Sequence, residues 1–319
     1  MSAHLRLLAY AKLNLTLDIL CRRDDGYHDL RSIMQAIALH DVVDVVLGGD
    51  GVRVECDAPD VPSGPRNSAF RAAEAALDVA GVATGVHVRL EKRIPSGAGL
   101  AGGSSDAAAV ILALRHLLPD RLTDRAALDI AARVGADVPF FLTGGTAVVS
   151  GIGEQVQPLP RRAPLHFALL KPDFGIDTRW AYDVYDRSGE PQPPQLVGAA
   201  SAATPPPDRM VAALRDAGAA EVAAHLGNAF WPSISAARPE LTALHDELLA
   251  TGALGAAMTG SGSCLYGVFA DGAQALRAAQ ALAGPGRFTE AARAVDCGAA
   301  LDTPEGPQPL RLGEVIVGT

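Results

Sequence analysis

The chain has 319 residues, of which 49% are hydrophobic and 20% are charged, a composition typical of a globular protein with about two domains. The net charge of −9 argues against a nucleic-acid partner. There is no signal pattern and no apolar run near the roughly 18 residues of a membrane span, so we expect a cytoplasmic protein without a membrane partner. The 4 cysteines are widely scattered and indicate neither a zinc site nor a disulfide framework.

The first predicted element is a half-buried strand over 5–20, in which every odd position is apolar. Its other face carries Lys12 and Asn14 side by side. Only 3 of the 27 basic residues are lysines, so a retained lysine suggests a site for a compact, movable charge. An ordinary solvated strand face is the alternative explanation of this pair.

The next segments predict a hairpin, a helix and a strand. A turn at 24–26 is followed by Tyr27 and His28 and then by strands at 32–39 and 42–47. Further elements are a strand at 52–56, a helix that is capped by Asn67 or Ser68 and ends near 80, and a strand at 86–90. Asn67 and Lys92 therefore approach the next loop from outside, unless they are only a cap and a strand end.

The segment 95–106, PSGAGLAGGSSD, has four glycines in seven positions and predicts a loop. Helical spacing over 107–118, with Ser104 or Ser105 as the cap, places this loop at a helix N-terminus. Free backbone N–H groups and the positive end of the helix dipole meet there. The sequence therefore predicts an anion site, most plausibly for phosphate.

Two common phosphate loops do not fit this segment. The dinucleotide fingerprint needs a following strand that ends in an acidic residue, but a second helix is predicted at 124–134. The Walker pattern needs a lysine where this chain has Gly103. A generic glycine-rich turn is a further alternative.

Asp137 is an isolated charge in the apolar segment 135–141, with no basic residue between Arg133 and Arg161. Asp before a short turn that contains proline is a common helix N-cap, which is the structural explanation. If it does not cap a helix, Asp137 needs a partner from elsewhere in the fold.

The second half of the chain predicts an antiparallel sheet backed by helices. The predicted strands are 165–170, 255–258, 265–269 and 291–296. One helix is predicted to start near 178, and three others cover 209–217, 241–250 and 273–282. Thr178 and Tyr182 are four residues apart and share a helix face. The composition of 188–208 predicts a loose loop, and 259–263 is a second glycine-rich loop.

Several motifs together resemble the kinase superfamily of galactokinase, homoserine kinase, mevalonate kinase and the cytidyl-methylerythritol kinases. The segment 95–106 is similar to its ATP loop, and 259–263 is similar to its third motif. The motifs AKLNL at 11–15, DGYH at 25–28 and GADVP at 135–139 resemble the cytidyl-methylerythritol branch, and the resemblance covers roughly 9–296.

This resemblance implies an α+β, two-domain small-molecule kinase fold with the active site in the interdomain cleft. It implies a ribosomal-protein-S5-like ATP-binding domain at 1–163 and a ferredoxin-like substrate domain at 164–300. The segment 301–319 is a tail beyond the family pattern, to which no function is assigned. We expect a monomer or a weak homodimer.

The resemblance also implies ATP-dependent phosphorylation of the 2-hydroxyl of 4-diphosphocytidyl-2-C-methyl-D-erythritol in isoprenoid biosynthesis, with ATP and Mg²⁺ as cofactors. Asp137 would accept the hydroxyl proton, and Lys12 would stabilise the developing charge. The implied nucleotide-binding residues are Asn67, Lys92, Pro95, Ser96, Gly97, Ala98, Gly99, Leu100, Ala101, Gly102, Gly103, Ser104 and Ser105.

The implied substrate-binding residues are Asn14, Tyr27, His28, Thr178 and Tyr182. The two tyrosines would stack on the cytosine, and His28 would bond its polar edge. Ser104 or Ser105 would help to bind Mg²⁺, with no acidic ligand identified.

Two alternative functions stay open. A homoserine or mevalonate kinase of the same superfamily would keep the glycine-rich loop but would not need the aromatic residues of the cytosine site. A non-catalytic nucleotide-binding protein would also keep the loop and would not need Asp137.

Overall fold

The computed structural model describes residues 3–189 and 208–312. The predicted loose loop at 188–208 lies mostly outside the described residues, as does the end of the predicted tail, 313–319. No helix within the described ranges is long and apolar enough to cross a membrane.

The N-terminal part of the chain alternates long strands with helices. Its elements are β1 (Ala3–Arg22), β2 (His28–Leu47), β3 (Val52–Cys56), α1 (Ser68–Ala80), β4 (Val86–Glu91), α2 (Gly102–Leu117), α3 (Asp124–Val134), α4 (Val138–Thr143), β5 (Thr146–Gly151) and β6 (Gln155–Leu159).

The C-terminal part is richer in helices. Its elements are β7 (His166–Pro172), α5 (Thr178–Ser188), α6 (Asp208–Asp216), α7 (Ala219–Ala224), β8 (Gly227–Asn228), α8 (Trp231–Ala237), α9 (Pro239–Ala250), β9 (Gly255–Met258), β10 (Leu265–Phe269), α10 (Gly272–Ala281), β11 (Arg287–Arg293), β12 (Ala299–Leu301) and β13 (Gln308–Leu310).

Two sheets organise these elements, which confirms the predicted α+β class. The N-terminal sheet has the strand order β13-β12-β1-β2-β4-β3, with β5 on β2, β6 on β5 and β8 on β1. The C-terminal sheet has the order β11-β7-β10-β9 and is antiparallel throughout, as the sequence predicted. The β11 strand starts four residues before the predicted 291 because it pairs with the whole of β7.

β1 and β2 form one long antiparallel hairpin, paired from Ala3 with Leu47 to Arg22 with His28. The sequence predicted two strands, at 32–39 and 42–47, where the structure has the single strand β2. The prediction failed because a register shift between Tyr10 and Ala11 accommodates the extra residues without ending the strand.

The half-buried character predicted for β1 is wrong, because both of its faces are covered. Ala11 and Leu13 belong to the same buried cluster as Phe167 of β7 and Tyr266 of β10. Lys12, on the opposite face, is only 3% exposed. The solvated-face explanation of the Lys12 and Asn14 pair is therefore excluded.

α2 begins inside the glycine-rich loop, five residues before the predicted start. Its N-cap is Ala101, which has the left-handed φ of 60° and makes no side-chain capping bond with the described residues. Ser104 and Ser105 lie within the first turn, so the prediction that either caps the helix is wrong. A Cβ on Gly102 would lie 3.0 Å from Ile94 Cγ2, so close packing favours glycine where the helix begins.

Part of the predicted tail completes the N-terminal sheet. β12 pairs with β1, with Leu301 opposite Leu7, and β13 pairs with β12. Leu310 is buried in the N-terminal core. The chain thus returns to its first domain after the C-terminal sheet. No strand or helix was predicted for β12, β13, α7, β8 or α8.

Candidate active site

A cleft with a volume of about 950 Å³ is lined by residues of both sheets and their loops. It brings together every predicted site residue except Leu100 and Ser105. The predicted residues on its wall are Lys12, Asn14, Tyr27, His28, Asn67, Lys92, Pro95, Ser96, Gly97, Ala98, Gly99, Ala101, Gly102, Gly103, Ser104, Asp137, Thr178 and Tyr182.

The two exceptions point into the protein. Leu100 is 1% exposed and packs in the core between the two sheets. Ser105 is fully buried, and its hydroxyl donates to the Tyr10 carbonyl at 2.7 Å. The side chains of Leu100 and Ser105 are therefore not placed to bind a ligand in the cleft.

The glycine-rich loop is held against the second glycine-rich loop, 259–263. Gly99 has a φ of 73°, and a Cβ there would lie 2.1 Å from the Thr259 carbonyl oxygen. Across the same contact, Ile176 N donates to Gly97 O at 3.2 Å and Cys264 N donates to Ala98 O at 3.3 Å. The C-terminal domain thus fixes the shape of the loop, and only glycine permits this close approach at 99.

The loop leads directly into the N-terminus of α2. Ser104 N and Ser105 N already donate to the Ala101 carbonyl, at 3.1 and 3.0 Å. The N–H groups of Gly102 and Gly103 are among those for which a helix supplies no acceptor. They line the cleft, where the helix dipole favours an anion.

Lys12 projects from β1 into the base of the loop. Its Nζ donates to Asn14 Oδ1 at 2.6 Å and to the Gly99 carbonyl oxygen at 2.8 Å. Burial lowers the pKa of Lys12, and the charge of Asp137 opposes that shift. The ammonium group is therefore a positioned cation close to both the loop and a carboxylate.

Asn14 holds Lys12 through a network that the sequence did not reveal. Its Nδ2 donates to Ser32 Oγ at 2.8 Å, and the Ser32 hydroxyl donates to the Thr16 carbonyl at 2.6 Å. The Asn14 backbone N–H donates to Thr259 Oγ1 at 3.1 Å. These bonds fix the amide with its oxygen toward Lys12. Ser32 carried no sequence signal, whereas Thr259 belongs to the second glycine-rich loop.

Asp137 occupies the N-cap position of α4 but does not act as a cap. Its backbone is helical, with φ −80° and ψ −13°, and its side chain makes no capping bond within the described residues. The carboxylate lines the cleft instead. Burial raises the pKa of Tyr182 to about 12, with the charge of Asp137 as the second cause, and the same charge acts on Lys12. Asp137 therefore interacts electrostatically with residues of both β1 and α5.

Lys92 forms a buried three-charge group beside the glycine-rich loop. Its Nζ donates to Asp41 Oδ2 and, at 2.6 Å, to Asp106 Oδ2. Asp41 Oδ1 also accepts from the backbone N–H groups of Arg93 and Ile94, at 2.6 and 2.8 Å. Burial alone would lower the pKa of Lys92, but the two carboxylates raise it. Burial raises the pKa of the Asp106 carboxyl to about 7. The charge of Lys92 opposes this increase, and the charge of Asp41 adds to it.

Asn67 caps α1, as one of its two sequence interpretations predicted. Its Oδ1 accepts from Ala69 N at 2.8 Å, and its Nδ2 donates to the Pro62 carbonyl at 2.7 Å. Asn67 still lines the cleft, as Lys92 does.

An aromatic group also lines the cleft. The rings of His28 and Tyr182 are nearly parallel, with centroids 4.6 Å apart and planes 13° apart, and the edge of Phe230 meets Tyr182 at 4.9 Å. Tyr27 is 61% exposed. The sequence placed His28 at the edge of a base and Tyr182 on its face, whereas here His28 itself stacks on Tyr182.

Two contacts connect α5 and this aromatic group to neighbouring segments. His28 Nε2 bonds Asp186 Oδ1 at 2.8 Å, and Asp186 was not singled out from the sequence. Thr178 Oγ1 lies 3.2 Å from Ser261 Oγ, which joins α5 to the second glycine-rich loop. Tyr182 and Asp186 are one turn apart on α5, so a single helix presents the ring that stacks on His28 and the carboxylate that bonds it.

Comparison with known proteins agrees with this site. The GHMP kinases N terminal domain model matches 67–145, and the GHMP kinases C terminal model matches 210–287. The 4-diphosphocytidyl-2-C-methyl-D-erythritol kinase of Caldanaerobacter subterraneus subsp. tengcongensis is 39% identical over 92% of this chain and 98% of its own length. The chain therefore belongs to the 4-diphosphocytidyl-2-C-methyl-D-erythritol kinase family.

Solved structures agree with this family assignment. A crystal structure of 4-(cytidine 5'-diphospho)-2C-methyl-D-erythritol kinase is 33% identical, with a TM-score of 0.72 over 91% of this chain and 99% of that chain. Homoserine kinase from Cytophaga hutchinsonii has a TM-score of 0.70 over 93% and 97% of the two chains, but at 19% identity it shows the shared fold alone. The two-domain small-molecule kinase fold that the motifs implied is confirmed.

As a kinase of this family, the protein uses ATP. Ser104 lines the cleft at the start of α2 and makes no side-chain hydrogen bond with the residues that the structure describes. Those residues contain no cluster of three or more His, Cys, Asp or Glu that could hold a metal.

Proposed function

We propose that the protein transfers the γ-phosphoryl group of ATP to the 2-hydroxyl of 4-diphosphocytidyl-2-C-methyl-D-erythritol, in the methylerythritol phosphate route to isoprenoids. One observation carries this proposal. A single cleft is lined by the glycine-rich loop, the His28–Tyr182 pair, Lys12 and Asp137, and the charge of Asp137 acts on both Lys12 and Tyr182.

ATP would place its phosphates on the glycine-rich loop and the N-terminus of α2. Asn67 and Lys92 line the same cleft and would lie beside the nucleotide. Because Lys92 already bonds two carboxylates, we propose that it shapes the loop rather than meeting a phosphate directly. Mg²⁺, held by the ATP phosphates and Ser104, would neutralise phosphate charge.

The transfer needs a proton acceptor and a cation at the reacting oxygens. As the acceptor oxygen forms its bond to the γ-phosphorus, the bond from that phosphorus to the β,γ-bridging oxygen breaks and ADP leaves. We propose that the hydroxyl proton passes to the Asp137 carboxylate, which makes no hydrogen bond within the described residues. Lys12, fixed by Asn14 and Gly99, would stabilise the transferring group.

The cytidine end would be formed by Tyr27, His28, Thr178 and Tyr182. A base beside His28 would lie parallel to Tyr182, since the two rings differ by only 13°. Tyr27, exposed at the rim, would cover the other face. Arg179 follows Thr178 on the cleft wall and makes no ion pair among the described residues, so it is a candidate partner of the substrate diphosphate.

ADP release across a panel of acceptors tests this proposal. We expect turnover with the cytidyl compound and none with homoserine or mevalonate. Turnover of homoserine or mevalonate alone would reject the choice of acceptor. ATP binding without ADP release from any acceptor would indicate a nucleotide-binding protein instead.

We further propose a cytoplasmic protein that acts as a monomer or a weak homodimer on a small-molecule substrate, without a nucleic-acid partner. All 4 cysteines are free, which is typical of a reducing compartment. We assign the nucleotide domain to 1–163 together with β12 and β13, and the substrate domain to the chain between them. Light scattering at several protein concentrations measures the oligomeric state.

A further inference from the structure

Asp186 contacts one of the two ring nitrogens of His28. The carboxylate bonds His28 Nε2 at 2.8 Å, and the His28 side chain is only 4% exposed. An ionised carboxylate can only accept a hydrogen bond, so Nε2 must be the donor. In the neutral imidazole, Nδ1 is then left with a lone pair and acts as an acceptor.

The His28 ring is also fixed in orientation. Tyr182 covers one face at a centroid distance of 4.6 Å, and Asp186 holds the Nε2 edge. Nδ1 has no hydrogen-bond partner within the described residues, and His28 lines the cleft. Nδ1 is therefore the one polar atom of this side chain that remains for a ligand.

An acceptor at this place distinguishes the two pyrimidines. Cytosine presents its N4 amino group as a donor where uracil presents the O4 acceptor. The Nδ1 lone pair can accept from cytosine N4, but it faces another lone pair in uracil. We infer that Asp186 is a positioning residue that makes the site select cytidine over uridine, by holding the Nε2–H tautomer of His28. This inference rests on the proposed function, because it assumes a pyrimidine nucleotide beside His28.

The charge of Asp186 is partly shared with Arg22, whose Nη1 lies 3.5 Å from Asp186 Oδ2. Asp183 offers a matched control for the charge alone. Asp183 is on α5, three residues before Asp186, and lines the same cleft. Its side chain makes no ion pair within the described residues. Removing the Asp183 charge therefore changes the local potential without touching the bond to His28.

The first test compares kcat/KM for the cytidyl substrate and for its uridine counterpart. We expect the wild-type enzyme to prefer the cytidyl compound by about 10-fold to about 100-fold, the range for one buried hydrogen bond made or lost. Asp186→Asn can donate as well as accept, so it permits the wrong tautomer. It should remove most of this preference by raising KM for the cytidyl substrate, with kcat and the KM for ATP within about 2-fold of wild type.

The control variants separate a tautomer effect from other effects. Asp186→Glu retains a carboxylate and should restore part of the preference, whereas Asp183→Asn and Arg22→Gln should leave it unchanged. An Asp186→Asn enzyme that keeps the wild-type preference would overturn the inference, and so would an equal loss in Asp183→Asn. A variant that only melts earlier, with both KM values unchanged, would show a structural role and also overturn it.

The second test needs no substrate. Nitrogen-15 NMR of the ligand-free protein, with the His28 signals assigned from a His28→Gln variant, reports which ring nitrogen is protonated. We expect Nε2–H in the wild type and a mixture in Asp186→Asn. An Nδ1–H tautomer in the wild type would overturn the inference even if the cytidyl compound is turned over. Failure to turn over the cytidyl compound would instead refute the proposed function, and the NMR result would still decide what Asp186 does.

Discussion

Lys12→Arg is the change that most directly tests the proposed role of Lys12. The substitution keeps a positive charge but replaces a compact ammonium by a longer, planar guanidinium. Nζ lies 2.6 Å from Asn14 Oδ1 and 2.8 Å from Gly99 O, and a Cβ placed on Gly260 would lie 3.4 Å from it. The site is therefore closed on three sides around the present position of the nitrogen.

An arginine at this position would have to move its donors or push the glycine-rich loop away. Lys12 is only 3% exposed, so solvent offers no space for the larger group. A displacement of about 1 Å at a reacting centre costs about 10²-fold when catalysis depends on positioning. We expect kcat of Lys12→Arg to fall by about 100-fold or more, close to the value for Lys12→Ala.

Lys171→Arg is the matched control, because Lys171 is another buried lysine. It is 7% exposed and donates to the carbonyls of Pro172 and Phe174, at 2.9 and 3.2 Å, away from the residues that line the cleft. Steady-state ADP release, scaled to the folded fraction from urea unfolding, should show nearly wild-type kcat for this control. A Lys12→Arg enzyme within a few-fold of wild type would remove Lys12 from the mechanism. An equal loss in Lys171→Arg would show a general intolerance of buried arginine.

Three further changes test the other parts of the site. Asp137→Asn should lower kcat by ~10²–10⁴-fold with the ATP affinity and the urea midpoint retained; early melting with an unchanged rate per folded molecule would mean a structural role. Tyr182→Ala should raise KM for the cytidyl substrate by about 10-fold, with KM for ATP unchanged, since a stacked base is worth ~1–3 kcal/mol; equal increases in both would mean general damage to the cleft. Burial raises the pKa of Asp106 from 3.8 to about 7, so the native state loses stability as the pH rises through that range. Asp106→Asn cannot titrate, so its unfolding free energy in urea should fall less between about pH 5 and about pH 8 than that of the wild type, and equal falls would contradict the assigned pKa.

Local periodicity was enough to predict part of the site. Successive strand residues point to opposite faces, so Lys12 and Asn14 had to share a face, and they do hydrogen-bond. The four-residue spacing of Thr178 and Tyr182 likewise put both on the wall of the cleft. In each case the relation depends only on the geometry of one element. Whether that face meets water or another domain was not encoded in the spacing, and here the prediction of a half-buried strand was wrong.

The groups that the sequence missed are contacts between distant segments. Lys92 and Asp41 are separated by 51 residues, and His28 and Asp186 by 158 residues. The local sequence around Asp41 or Asp186 does not identify either carboxylate as the partner of Lys92 or His28, because sheet pairing and domain packing bring these residues together. The start of α2 was missed for another reason. It depends on the left-handed backbone of Ala101, a conformation that alanine does not favour.

The strand β1, which packs against the C-terminal sheet, also carries the proposed catalytic lysine. β1 places Ala11 and Leu13 in the core shared with the C-terminal sheet, and Lys12 lies between them on the other face. The Tyr266 hydroxyl of β10 donates to the Asn14 carbonyl at 2.8 Å, so the C-terminal domain holds the backbone of this strand directly. Separation of the domains at this point would break that bond and the packing of the two glycine-rich loops together. The position of the lysine therefore depends on the interdomain core, and any opening of the cleft to exchange substrates must leave this part of the interface intact.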